Sequence, residues 1–113
     1  MPRPLRWFVP GEYYFVTNRT LEERCYLRPD EKTNTAVLRS LAVALRVYPV
    51  ELTAFVVMGN HYHLVLRAGS HSVSDFVGLF QSRLARAVNE RLGRRGPVWQ
   101  RRFVATPIVD EEA

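Results

Sequence analysis

Two histidines separated by one residue, His61 and His63, are the side chains of this sequence best suited to chemistry. They open the run His61-Tyr62-His63-Leu64-Val65-Leu66-Arg67, whose apolar, aromatic and β-branched content predicts a strand. Alternate residues of a strand share a face, so both imidazoles point one way and Tyr62 the other. Two imidazoles one strand-step apart can jointly hold a divalent cation. With the remaining positions filled by an oxygen or amide ligand and water, the donor set suits Mg2+ or Mn2+. Zinc prefers more nitrogen or sulfur donors. The alternative is a pair of half-buried sheet residues with no metal. Cys25 is the only cysteine, which leaves no Cys-x-x-Cys pair and no internal disulfide.

Charge points to phosphate. Sixteen basic residues face eleven acids, for a net charge of +5, and all but Lys32 of the sixteen are Arg. Between Gln81 and Val109 lie Arg83, Arg86, Arg91, Arg94, Arg95, Arg101 and Arg102, against the single acid Glu90. Arg presents a rigid fork of donors that fits phosphate in a bidentate way. The expected nucleic-acid contacts are Arg83, Arg86, Arg94, Arg95, Arg101 and Arg102, with Trp99 and Phe103 stacking on unpaired bases. A solvated basic face, with Trp99 anchoring a loop on the core, is the competing reading. A metal beside a phosphate footprint suggests phosphodiester chemistry, because a cation polarises the scissile phosphate and neutralises developing charge. That chemistry needs a nucleophile, and Tyr13, Tyr14, Tyr26, Tyr48 and Tyr62 each read as packing residues.

These residues need a scaffold. Glu12 to Arg19 predicts a first strand after the Pro10-Gly11 turn. A helix follows Arg28-Pro29, capped by Asp30 or Thr33, with Val37, Leu38, Leu41, Ala42 and Leu45 on a 3.6-residue stripe and Pro49 as the stop. Val50 to Met58 predicts a second strand, apolar enough for a central position, and Gly59-Asn60 turns it into the histidine strand. A second helix runs from about Ser74 to Leu92, with Phe76, Phe80, Leu84 and Val88 recurring every four residues and Gly93 and Gly96-Pro97 ending it. Phe103 to Val109 predicts a last strand with Pro107 marking an edge. The order βαββαβ is that of an α+β, ferredoxin-like fold, an antiparallel sheet with both helices on one face.

The 113 residues fit one domain, 1–113, large enough to bury a core without staples. No apolar run approaches the roughly 18–20 residues of a membrane span, and no signal core follows the N-terminus. The expected location is the cytoplasm.

The stretch from Val50 through Met58-Gly59-Asn60-His61-Tyr62-His63 to Leu66 resembles the signature of the single-tyrosine HUH transposases. The resemblance is strongest to the REP-associated tyrosine transposases and the transposase domain of bacterial insertion sequences. Tyr14-Phe15-Val16-Thr17-Asn18-Arg19 and the preceding Pro2-Arg3-Pro4-Leu5-Arg6 are similar to the family's opening. Gly96, Trp99, Arg102 and Phe103 fit its Gly-x-x-Trp-x-x-Arg-Phe element, and Ile108 to Ala113 resembles the approach to its last helix. The resemblance implies that His61 and His63 bind a divalent cation, that the substrate is single-stranded or hairpin DNA, and that a tyrosine forms a 5′-phosphotyrosine link during transposition. It also implies a homodimer in many relatives. Gly59 stands where the family usually has Pro, a change that a tight turn accepts. The family's nucleophilic tyrosine lies on a helix expected beyond Ala113, so none of the five tyrosines is appointed in its place. Without that helix, part of the sheet is expected to be uncovered and apolar.

Two other functions remain open at this stage. One is a DNA-binding remnant with no chemistry. The other is a small metalloprotein or hydrolase acting on something other than nucleic acid, which would bind metal but show no salt-sensitive affinity for oligonucleotides.

Overall fold

A computed structural model describes residues 8–69 and 72–108. The Pro2–Arg6 stretch, His71 and the acidic run from Asp110 lie outside the described residues. The elements are β1 (Tyr13–Arg19), α1 (Glu31–Val47), β2 (Glu51–Val57), β3 (His61–Arg67), α2 (Val73–Leu92) and β4 (Val104–Pro107), with a short 3-10 turn at Leu21–Glu23.

The four strands form one sheet in the order β2-β3-β1-β4, and every neighbouring pair is antiparallel. This is the ferredoxin-like arrangement that the sequence order predicts. Alternation builds the two faces. Tyr14, Val16 and Asn18 of β1 and Tyr62, Leu64 and Leu66 of β3 are buried toward the helices. The helices meet them with apolar stripes: Val37, Leu41 and Ala44 from α1, and Phe76, Val77, Phe80, Leu84 and Val88 from α2. Deleting a buried aromatic such as Phe80 would cost about 3–5 kcal/mol, because the lost contacts leave a cavity.

The helix ends follow local chemistry. The Asp30 carboxylate accepts from the Thr33 amide at 2.8 Å, which makes Asp30 the cap and Thr33 its partner. Ser72 caps α2 through the Asp75 amide at 3.1 Å, and Gly93 closes it in the left-handed region at φ 62°.

Two strands differ from expectation. β2 is an edge strand, not a central one, and leaves Phe55, Val56 and the following Met58 exposed. An apolar run marks a strand but does not say which neighbours it pairs with. β4 is shorter than expected at its start: Phe103 turns into the core, where it has no face for a base to stack on, and pairing begins at Val104. Its partner is β1, so Pro107, which has no N–H to donate, sits on a sheet edge as expected.

Candidate functional site

His61 and His63 lie on the sheet face that the helices leave open. They alternate with Tyr62 and Leu64, which are fully buried on the helix side. The ring centroids of His61 and His63 are 4.9 Å apart. With metal–nitrogen bonds of about 2 Å, two imidazoles this close can share one ion. Thr17 pairs with His63 across β1, and Arg19 pairs with His61.

Each imidazole is held differently. The Asn60 amide nitrogen donates to the Glu23 carbonyl at 3.2 Å, which turns its side-chain oxygen toward His61. That oxygen lies 2.8 Å from His61 Nδ1. An amide oxygen can only accept, so the proton sits on Nδ1 and the lone pair on Nε2. This is the outer-shell arrangement that metal-ligating histidines use. His63 stacks on Phe15 with ring centroids 5.0 Å apart and an interplanar angle of 23°. Its Nδ1 is buried without a hydrogen-bond partner, so its tautomer is set by whatever engages the other nitrogen. Burial, and then the neighbouring His61 charge, hold the His63 imidazole below its ordinary value, which favours the neutral, ligating form. The donor chemistry therefore fits a divalent cation. Among the described residues, no third His, Cys, Asp or Glu joins the pair into a larger cluster.

A polar network backs the pair from the helix side. Gln81 Oε1 accepts from the Tyr62 hydroxyl at 2.6 Å and from Asn18 Nδ2 at 2.7 Å. The Gln81 carbonyl accepts from Trp99 Nε1 at 3.0 Å, and the Trp99 ring meets Tyr62 edge-on at 5.3 Å. The structure thus packs Trp99 as an anchor beneath the histidine strand.

The expected DNA contacts do not form one patch. Arg83 and Arg86 are exposed on α2 and face α1 across a groove. Arg94 is turned inward: it donates to Asn89 Oδ1 at 2.6 Å and to the Pro97 carbonyl at 3.1 Å, and its guanidinium lies 4.5 Å from the Tyr26 ring centre. Arg95 is exposed. Arg101 and Arg102 line a shallow crevice with Gln81 and Trp99 at the loop before β4. Arg101 also borders Arg19 and Glu23, close to the His61 end of β1.

Sequence reasoning missed three features here. Asn60 reads as a turn residue, and its grip on His61 depends on the Glu23 carbonyl. Glu22 and Glu23 adopt left-handed φ of 53° and 55°, for which glutamate carries no sequence signal. Lys32 and Arg39 join Arg83 and Arg86 across the interhelical groove. Their spacing of seven residues on one helix was the available signal.

None of the five tyrosines is presented to the histidine pair. Tyr62 points to the opposite face, Tyr14 is buried with its hydroxyl against the Val9 amide, and Tyr26 lies under Arg94. Tyr48 caps α1 at its C-terminal end. Tyr13 shares the open face but pairs with Arg67, four residues along β1 from Thr17, or roughly 13 Å at strand rise. Tyr13, Phe15, Val56 and Val104 leave this face partly apolar and exposed among the described residues.

No helix among the described residues is long and apolar enough to cross a membrane. A comparison with curated proteins finds no match. Among solved structures, the chain is similar to a REP-associated tyrosine transposase bound to a REP hairpin, with TM-score 0.74 and 19% identity over 99% of this chain. The chain spans 65% of that transposase. It is also similar to a candidate transposase from Deinococcus radiodurans R1, with TM-score 0.69 and 21% identity, covering 97% of this chain and 88% of the other. Both likenesses show the fold. The model of the IS200-like transposases matches residues 13–113, nearly the whole chain, and the chain belongs to that family.

Proposed function

We propose that this chain is the metal- and DNA-binding domain of a transposase that cleaves and rejoins single-stranded DNA. The observation that carries the reading is the His61–His63 pair, 4.9 Å apart on an open sheet face, with Asn60 fixing the His61 tautomer. His61 and His63 hold a divalent cation, Mg2+ or Mn2+, with further ligands from outside the pair. When bound, that ion polarises a scissile phosphate and neutralises developing charge. Arg19 and Arg101 border the His61 end of the sheet and supply donors for the flanking phosphates. Phe15, which stacks on His63, and Tyr13, which lies under the Arg67 guanidinium, leave partly exposed rings on this open face for unpaired bases. The hairpin held by the similar REP-associated transposase makes a hairpin-bearing single strand the preferred substrate class. A tyrosine outside the five described here attacks phosphorus and releases a 3′ hydroxyl, and the resulting phosphotyrosine link keeps the step reversible. The working assembly is a homodimer, and its place is the bacterial nucleoid.

A second reading, DNA binding without chemistry, is favoured by the placement of the tyrosines. One experiment separates the two. The chain is mixed with hairpin-bearing single strands and Mn2+, then resolved on a denaturing gel and by intact mass. A covalent adduct that disappears in His61→Ala/His63→Ala supports cleavage. Salt-sensitive binding with no adduct supports the second reading. Metal affinity unchanged in the double variant overturns the metal assignment, and no DNA binding at any salt overturns both readings.

A further inference from the structure

The helical layer carries a basic feature that the histidine site does not use. α1 and α2 pack side by side on the sheet, and the valley between them is a groove of about 640 Å³. Lys32 and Arg39 stand on its α1 wall, Arg83 and Arg86 on its α2 wall, and all four are exposed. Glu90 and Arg91 also border it, and Arg91 is engaged by Asp30. The other ion-paired arginines, Arg19, Arg24 and Arg67, lie outside the groove. Among the described residues, Lys32, Arg39, Arg83 and Arg86 have no carboxylate within ion-pair distance. With Glu90 as the one carboxylate on the lining, these four cations leave the groove net positive, and an anion laid in it relieves their mutual repulsion.

Spacing and chemistry narrow the anion. Lys32 and Arg39 are seven residues apart on one helix, or about 10.5 Å at helical rise. Phosphates repeat along each strand of a nucleic acid, so cations at this separation on the α1 wall can meet more than one phosphate of the same strand. The two walls belong to helices in direct packing, so their cations can grip that strand from both sides. Single-strand tracks interleave cations with free aromatic faces. This groove has none: its one aromatic, Tyr26, lies under the Arg94 guanidinium at 4.5 Å. Backbone contact without stacking suits DNA whose bases are already paired.

We propose that the α1–α2 groove binds the phosphodiester backbone of paired DNA through Lys32, Arg39, Arg83 and Arg86. The inference rests on the DNA-binding reading above. The groove lies on the opposite side of the sheet from His61 and His63, so paired and unpaired DNA contact different layers. Lys32 and Arg39 then take a role that the basic segment alone did not suggest.

The test measures affinity of the full chain for a blunt duplex and for an unpaired oligonucleotide, in EDTA, from about 50 to 200 mM salt. Arg39→Ala/Arg83→Ala is compared with Arg28→Ala/Arg46→Ala, which removes equal charge from outside the groove. Each lost phosphate contact lowers the salt slope by about 0.9 for duplex DNA. The groove variant is expected to lose about two units of slope and tens of fold in duplex affinity, while unpaired binding changes little. Lys32→Ala/Arg86→Ala is expected to reproduce this and serves if the first variant misfolds. An unchanged slope in folded groove variants, or an equal loss in the control variant, overturns the groove assignment and leaves DNA binding elsewhere intact. Equal loss of unpaired and duplex binding overturns the assignment to paired DNA. No DNA binding by the unaltered chain overturns the underlying reading instead.

Discussion

The guanidinium of Arg91, in the last turn of α2, grips both carboxylate oxygens of Asp30, the cap of α1. Arg91 also donates to Thr33 Oγ1 at 2.6 Å, so one side chain ties the start of one helix to the end of the other. The Arg91 hydrogen bonds, and then the Thr33 amide, hold the Asp30 carboxyl well below the usual carboxylate range. A carboxyl depressed in the folded state stabilises it fully above the unfolded value, and that stability fades as pH falls below it. Asp30→Asn keeps a capping oxygen but removes the charge. The variant is expected to melt below the parent at pH 7, with the gap narrowing below about pH 4 and in 1 M salt, which screens a half-exposed pair. Thermal melts across pH check this; a constant gap from pH 7 to pH 2 would mean that the ion pair contributes nothing.

The Asn60–His61 contact yields a sharper expectation. Asn60→Ala removes the acceptor that keeps the proton on His61 Nδ1. Loss of such an outer-shell partner typically weakens metal binding about 10–100-fold. Titration calorimetry with Mn2+ should show that loss, and Asn60→Asp, which keeps an acceptor, should recover part of it. If Asn60→Ala binds Mn2+ as tightly as the parent, the tautomer is not set by this contact.

His63 ties stability to mild acid. Burial against Phe15 and the charge of His61 lower its proton affinity in the folded state. The folded chain therefore resists protonation that the unfolded chain accepts. Stability is full above the ordinary histidine value of 6.5 and falls as pH drops below it. Urea unfolding of the metal-free chain should show a lower midpoint at pH 5.5 than at pH 7.5. His63→Phe, which keeps a ring on Phe15 without a titrating nitrogen, should flatten that difference. An equal decline in both proteins would assign the pH response to other groups.

Legibility in the sequence tracked how local each feature is. β3 was readable residue for residue because the Gly59-Asn60 turn, the period-two pattern and the histidines all lie within it. The stop at Gly93 was readable for the same reason, and the cap of α1 was narrowed to Asp30 or Thr33, because both are decided within one helical turn. The edge position of β2 was not, because strand order depends on pairing between distant segments. Arg94 looked identical to Arg95 in sequence, yet the first lies over Tyr26 and the second is exposed. Only the fold brings that ring beneath one of them. The histidine pair stood out through its spacing, whereas Asn60 as its support and Lys32 and Arg39 as groove walls emerge from contacts across the chain.

Gln81 joins the fold to the site. Its side-chain oxygen accepts from both Tyr62, the residue between the two histidines, and Asn18, which is buried in β1. Gln81→Leu removes that shared acceptor and puts an apolar group against two donors. Burying a donor away from its acceptor costs about 1–3 kcal/mol, and at about 2 kcal/mol the melting temperature falls by roughly 10 °C. Gln81→Glu keeps an acceptor and should lose less. Because Tyr62 and the histidines share one strand, the leucine variant should also weaken Mn2+ binding at a temperature where it is still folded. Tyr62→Phe provides the matched case: it removes one of the two donors and leaves Asn18 its acceptor, so its losses should be smaller on both measures. A leucine variant with lowered melting temperature and unaltered Mn2+ affinity would show that the network supports the core without positioning the histidines.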